Sequence, residues 1–111
     1  MKFSLVHPSR GRVALAGEAI REWTEARSGR HSCEHILSID ADDPAAAGYR
    51  HLADEHHCRL VVSPNRTMIE AANRGAEAAH GDVLVLVSDD FGCPEHWDIA
   101  LANVIGEHSR A

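Results

Sequence analysis

Val83-Leu84-Val85-Leu86-Val87-Ser88-Asp89-Asp90-Phe91 is the stretch on which the fold turns. Five branched apolar residues in a row are strand length and carry no polar alternation, the pattern expected of a strand buried on both faces of a parallel sheet. Two adjacent carboxylates follow it directly. Three more runs of similar length lie upstream: Phe3-Ser4-Leu5-Val6, Ile36-Leu37-Ser38-Ile39 and Leu60-Val61-Val62. Segments with helical spacing separate them. Ala16, Ala19, Ile20 and Trp23 recur at i, i+3, i+4 and i+7, and so do Tyr49, Leu52, Ala53 and His56. Met68, Ala72, Ala76 and Ala79 form a small-residue stripe, and Trp97, Ala100, Leu101, Val104 and Ile105 an amphipathic face. The order is therefore β-α-β-α-β-α-β-α. Strict alternation predicts a three-layer α/β/α fold with a mainly parallel four-stranded sheet and right-handed crossovers.

Composition sets limits on function. The chain has 111 residues, one domain's worth, and no linker or repeat divides it. With 44% hydrophobic and 25% charged residues it has ordinary globular usage. Lys plus Arg number 11 against 17 Asp plus Glu, which opposes nucleic-acid binding, because phosphate backbones require clustered cations. No apolar run approaches the roughly 20 residues of a transmembrane helix. The apolar part of residues 1–8 is too short for a signal peptide. Cys33, Cys58 and Cys93 are odd in number and unpaired in spacing, pointing to a reducing, cytoplasmic setting.

In an open parallel sheet, ligands bind beyond the carboxyl ends of the strands. Here those ends are residues 7–12, 40–43, 63–66 and 88–93. Asp89 and Asp90 offer carboxylate oxygen to a hard divalent cation such as Mg²⁺ or Mn²⁺, which shares its shell with substrate phosphates; Asp89 as a turn cap and Asp90 as a solvated carboxylate is the alternative. Asp40 and Asp42 stand where nucleotide-binding α/β folds place an acidic residue for the ribose or base. Asp43, directly before Pro44, reads as a helix N-cap. The first loop brings Ser9 and two guanidinium groups, Arg10 and Arg12, to the same rim, where arginine matches phosphate geometry. Neither a GxGxxG fingerprint nor a P-loop is present. The nine histidines and three cysteines show no zinc-finger spacing. Asp98 and Glu107 read as solvated residues of the last helix, Trp97 and Trp23 as core.

Four segments in order resemble the nucleotide-binding half of a GT-A glycosyltransferase of the large inverting family 2. They are Phe3 to Arg12 with its Pro-Ser-x-x-Arg loop, Ile36 to Asp43, Asn65 through Ala71-Ala72-Asn73-Arg74-Gly75 to Asp82, and Val83 to Asp90. The resemblance implies a Rossmann-like fold and a DxD-type motif in its Ser-Asp-Asp form. It implies that Asp90, with Asp89, binds Mn²⁺ or Mg²⁺ on the diphosphate of a UDP- or GDP-sugar. Asp40 or Asp42 would contact base or ribose, Pro8, Ser9 and Arg10 would line the base pocket, and Arg66 and Asn73 would shape it. Ser88, Ala41, Ala72 and Thr67 depart from the family's pattern. The family's acceptor surface and catalytic base come from sequence beyond the metal motif, and no residue here maps onto the base. The expectation is a glycosyltransferase-like domain, residues 1–111, without the acceptor half, acting alone or completed by a homo-oligomer or a partner chain. Two other readings stand beside it. One is a non-catalytic nucleotide-binding module. The other is a flavodoxin-like or receiver-like Mg²⁺-binding domain, which the lone lysine, Lys2, disfavours.

Overall fold

The structure, a computed structural model, describes residues 1–90 and 92–109, with side chains through residue 106. Phe91 and the Glu107 side chain lie outside the described residues. The element order is β1 (Lys2–Ser9), α1 (Val13–Glu25), β2 (Ser32–Asp40), α2 (Ala46–His56), β3 (Arg59–Ser63), α3 (Met68–Glu77), β4 (Val83–Leu86) and α4 (Trp97–Ser109). All three strand pairings are parallel and the sheet order is β3-β2-β1-β4. The α/β architecture expected from alternation is the one observed.

The register explains the layering. Phe3, Leu5, His7 and Ser9 of β1 pair with Cys33, His35, Leu37 and Ile39 of β2 and share one face. There Leu37 and Ile39 pack with Ala16 and Ile20 of α1 and Tyr49 and Leu52 of α2, while Phe3 and Leu5 pack with Val87 and Trp97 at the start of α4. The other face carries Val6, Ile36 and Ser38, and α3 lies on it. A Cβ on Gly75 would stand 2.8 Å from Val6 Cγ1 and 3.4 Å from Ser38 Cβ, so α3 approaches the sheet this closely only because position 75 has no side chain. Thr67 starts α3 by accepting the Glu70 N–H at 3.1 Å, and the Glu70 carboxylate reaches back to Arg66 N at 2.7 Å.

Several expected details shift. β1 runs through Ser9, so His7, Pro8 and Ser9 are strand residues, paired with Leu37, Ser38 and Ile39. Pro8 is tolerated because the β4 ladder ends at Val6↔Leu86, short of it. β4 is an edge strand: Leu84 is 51% and Leu86 68% exposed, because α3 covers β1 and β2 and leaves β4 open on that face. The buried stripe of α3 is Ala71 and Gly75, with Met68 out at the rim. On α4 the packed residues are Trp97, Leu101, Ala102 and Ile105; Ala100 and Val104 face outward. α2 begins at Ala46, two residues later than an Asp43 N-cap requires. Asp43 instead accepts from Ala45 N and Gly11 N, both at 2.8 Å, tying two loops together.

Asp98 is the largest correction. It is fully buried and accepts from Ser28 N at 3.0 Å and Ser28 Oγ at 2.6 Å, clamping the α1–β2 loop to the start of α4. Burial pushes its carboxyl pKa up, but the hydrogen bonds from Ser28 and the helix N-terminus outweigh burial and hold it below the usual range. Trp97 and Trp23 are core as expected, stacked edge-to-face at 5.2 Å. All three cysteines are free thiols packed against the two core clusters, and burial raises the pKa of each. Among the described residues no helix is long and apolar enough to cross a membrane.

At the opposite end of the sheet Glu34 gathers Ser4 Oγ at 2.5 Å, His80 N at 2.6 Å and Arg59 at 3.1 Å. Burial alone would raise its pKa, yet these donors bring it down to about 2. Its stabilising effect is therefore full above the unfolded-state pKa near 4.5 and is lost as pH falls toward 2. Glu34→Gln should cost about 2 kcal/mol at pH 7. Urea melts of the two proteins from pH 7 to pH 2 should show the gap closing below about pH 4.5; a gap that stays constant would remove Glu34 from this role.

Candidate functional site

The chain reverses direction across the sheet between β1 and β4: from β1 it winds outward through β2 and β3, then returns to β4 on the other side. Such a switch point opens a crevice at the carboxyl ends. A cavity of about 480 Å³ lies there, lined by Pro8, Arg10, Arg12, Met68 and the Leu86 to Asp90 segment. A second hollow of about 450 Å³ adjoins it through Arg10 and Met68 and is lined further by Asp40, Asp42, Asn65, Arg66 and Thr67. Both volumes fall in the range of small-molecule sites.

The two hollows differ in chemistry. In the second, Arg10 bridges Asp40 and Asp42, both at 2.7 Å, and Asn65 Nδ2 donates to Asp40 at 2.9 Å. The carboxylates raise the Arg10 pKa, and the Arg10 hydrogen bond lowers that of Asp42. Asp40 is thereby fixed at the end of β2 with Arg10 beside it. Arg66 is exposed at the rim, and its guanidinium makes no ion pair among the described residues.

In the first hollow the paired carboxylates separate in role. Asp89 is nearly buried and both its oxygens are taken: Oδ1 by His7 Nε2 at 2.5 Å, Oδ2 by Ser9 Oγ at 2.7 Å. Asp90 is 56% exposed and faces Arg12, whose guanidinium donates to both oxygens at 3.0 Å. The Ser88 hydroxyl accepts the Asp90 N–H at 3.3 Å and helps shape the turn. Below Asp89 the polar chain continues into the core. His7 Nδ1 lies 2.9 Å from His35 Nε2, and Ser9 Oγ lies 2.7 Å from the Tyr49 hydroxyl, which accepts the Arg12 N–H at 2.9 Å. Burial, with His7 beside it, drives the His35 pKa down to about 3, so this ring is neutral.

Of the residues singled out from sequence, Pro8, Arg10, Asp89 and Asp90 meet in the first hollow and Asp40, Asp42 and Arg66 in the second. Ser9 lies beneath the floor. Asn73 is exposed on α3 and lines neither. Four participants are not among the candidate ligands read from sequence: His7, His35, Tyr49 and Asn65, the last of which appears only within a segment carrying the resemblance. Tyr49 reads as helix core, and the histidines become neighbours only through the β1–β2 register.

A divalent cation fits the donor set in a limited way. Among the described residues no three His, Cys, Asp or Glu side chains converge as a metal cage. One exposed carboxylate at a phosphate-sized cavity suits Mg²⁺ or Mn²⁺, which take one or two carboxylates and complete their shells with phosphate and water. Asp90 is that carboxylate. Its pairing with Arg12 is an exposed ion pair, worth only about 0–1 kcal/mol, and is readily exchanged.

No family model matches this sequence, and no curated protein matches it. Solved structures match its fold. The crystal structure of S. aureus TarS aligns with a TM-score of 0.74 at 18% identity, over 98% of this chain and 20% of that one. The structure of S. aureus TarS 1-349 in complex with UDP aligns with a TM-score of 0.68 at 19% identity, over 98% of this chain and 33% of that one. At such identities the likeness carries the fold alone: the chain shares the α/β fold of part of those structures. It spans a fifth to a third of the chains it matches.

Proposed function

We propose that the chain binds a nucleoside-diphosphate sugar in the β1/β4 crevice with a divalent metal, as the donor half of a glycosyltransferase. The observation that carries this reading is the adjacency of two hollows: an acidic one suited to a ribose and base, and one holding Asp90 and two arginines suited to a diphosphate. The UDP bound to the structurally similar TarS supports the ligand class. Asp40, held by Arg10 and Asn65, is the acceptor for ribose or base donors. Arg66, with no ion pair among the described residues, is a cation of the same rim, and Pro8 supplies an apolar wall. Asp90 would hold the metal, and Arg12, which now faces Asp90, would then be free to pair with a phosphate oxygen, where guanidinium geometry suits it. Bound Mn²⁺ or Mg²⁺ would stabilise negative charge on the departing diphosphate. Transfer to an acceptor needs a general base, which a partner chain, a second copy or further sequence would supply.

The test is a nucleotide panel. UDP, UDP-sugars, GDP and GDP-sugars are titrated with Mn²⁺ present, and nucleoside diphosphate release is followed in the same samples. Tight binding of one nucleotide class, with its sugar form bound as well or better, is expected. Equal weak binding of all, or none, would overturn the reading. Binding without release would favour the non-catalytic nucleotide-binding module.

A further inference from the structure

Asp89 is the acceptor on which two buried hydrogen-bond chains converge; the donors fix the direction of the Tyr49–Ser9 chain, and the tautomer that leaves no orphaned donor sets that of the histidine chain. On one side the Arg12 N–H donates to the Tyr49 oxygen. The Tyr49 hydroxyl then has its proton for Ser9 Oγ, and the Ser9 hydroxyl its proton for Asp89 Oδ2. On the other side His7 Nε2 must carry a proton to bond Asp89 Oδ1. The unpartnered His35 Nδ1 is best served by a His35 ring whose proton sits on Nε2, which then donates to His7 Nδ1. That leaves His35 Nδ1 as a lone pair without a proton. It is a buried ring nitrogen with no partner among the described residues, and this tautomer leaves there a lone pair instead of an orphaned N–H donor. Every link runs toward Asp89, so the links polarise one another in the same sense. The five side chains are all nearly or fully buried: His7 and Tyr49 at 0%, Ser9 at 2%, His35 at 5%, and the Asp89 side chain at 7%.

These five residues come from β1, β2, α2 and the loop after β4, and they join the two loops that line the metal and phosphate hollow. We infer that His7, backed by His35, is a positioning residue that locks Asp89 beneath the crevice so that the neighbouring Asp90 carboxylate is presented to the metal–nucleotide ligand. Asp89 on this inference is an anchor and not a ligand. The inference rests on the proposed nucleotide site.

Three variants test it, with UDP and Mn²⁺ as probes and amide hydrogen exchange at Ser88, Asp89 and Asp90 as a ligand-free readout. His7→Phe keeps ring volume and removes the donor. It should weaken Mn²⁺-dependent UDP binding by about tenfold or more, the usual cost of losing a group that orients a metal ligand, and speed exchange at the three amides. His7→Gln, whose side-chain amide can donate from near the Nε2 position, should recover most of both. Leu101→Ala thins packing against α4 and touches none of the network; it should lose stability and keep UDP affinity. The inference is overturned if His7→Phe binds like wild type, if His7→Gln is as weak as His7→Phe, or if Leu101→Ala loses as much affinity. Should wild type bind no UDP, the function reading fails, and exchange decides alone: faster in His7→Phe than in His7→Gln supports the anchor, equal rates overturn it. If His7→Phe does not fold, Ser9→Ala removes the other arm and is held to the same two readouts.

Discussion

Asp90→Asn should cost about a hundredfold in UDP affinity when Mn²⁺ is present, close to 3 kcal/mol. The substitution removes the one exposed carboxylate in the hollow and leaves its volume almost unchanged. The effect should carry opposite signs in two buffers. With Mn²⁺ the variant should lose the anionic ligand proposed for the metal. With EDTA the wild type holds Arg12 against Asp90, whereas the variant frees Arg12 for the diphosphate, so metal-free affinity should hold or rise slightly. Stability should barely move, because the lost ion pair is exposed. Calorimetric titrations of both proteins in both buffers check this. A loss of equal size with and without metal would assign Asp90 to direct nucleotide contact and remove the cation from the site.

Asp98→Ala should be the most damaging single change outside the crevice, costing about 3 kcal/mol, because it strips two charge-assisted hydrogen bonds from Ser28 and leaves a buried hole. In a domain whose total stability is about 5–15 kcal/mol this is a large fraction, and the thermal midpoint should fall by about 10 °C or more. A solvated helix residue would shift stability by less than about 0.5 kcal/mol. Urea unfolding with an unchanged m-value distinguishes the two. A near-neutral Asp98→Ala would contradict the buried clamp.

Asp98 also marks where sequence reading stops. The residue after Trp97 on an amphipathic helix belongs to the polar side by periodicity, and nothing local announces that the α1–β2 loop will fold over it. The same holds for His7: its ring is 82 positions from Asp89, and only parallel pairing brings β1 beside the end of β4. What periodicity does carry is the architecture. The apolar runs, the helical spacings and the polar residues at strand ends put the crevice and Asp90 in place before any coordinates. Its limits are directional. The unbroken Val83 to Val87 run implies burial on both faces, but the strand order sets it at an edge, so Leu84 and Leu86 stay exposed. The alanine stripe of α3 is displaced by one position because close approach demands Gly75 against Val6, a constraint that hydrophobicity does not encode. Asp89 and Asp90 are chemically identical in sequence, and only the fold separates them, one side chain 7% and the other 56% exposed.

The most direct test of the central claim is where the metal goes. With UDP present, Mn²⁺ broadens amide signals near it in the nitrogen–proton spectrum of the labelled protein. The expected result is broadening centred on Gly11, Arg12, Ser88, Asp89 and Asp90, dependent on UDP and absent in Asp90→Asn. Broadening centred elsewhere, or none with UDP bound, would contradict a metal-assisted diphosphate site at the β1/β4 crevice.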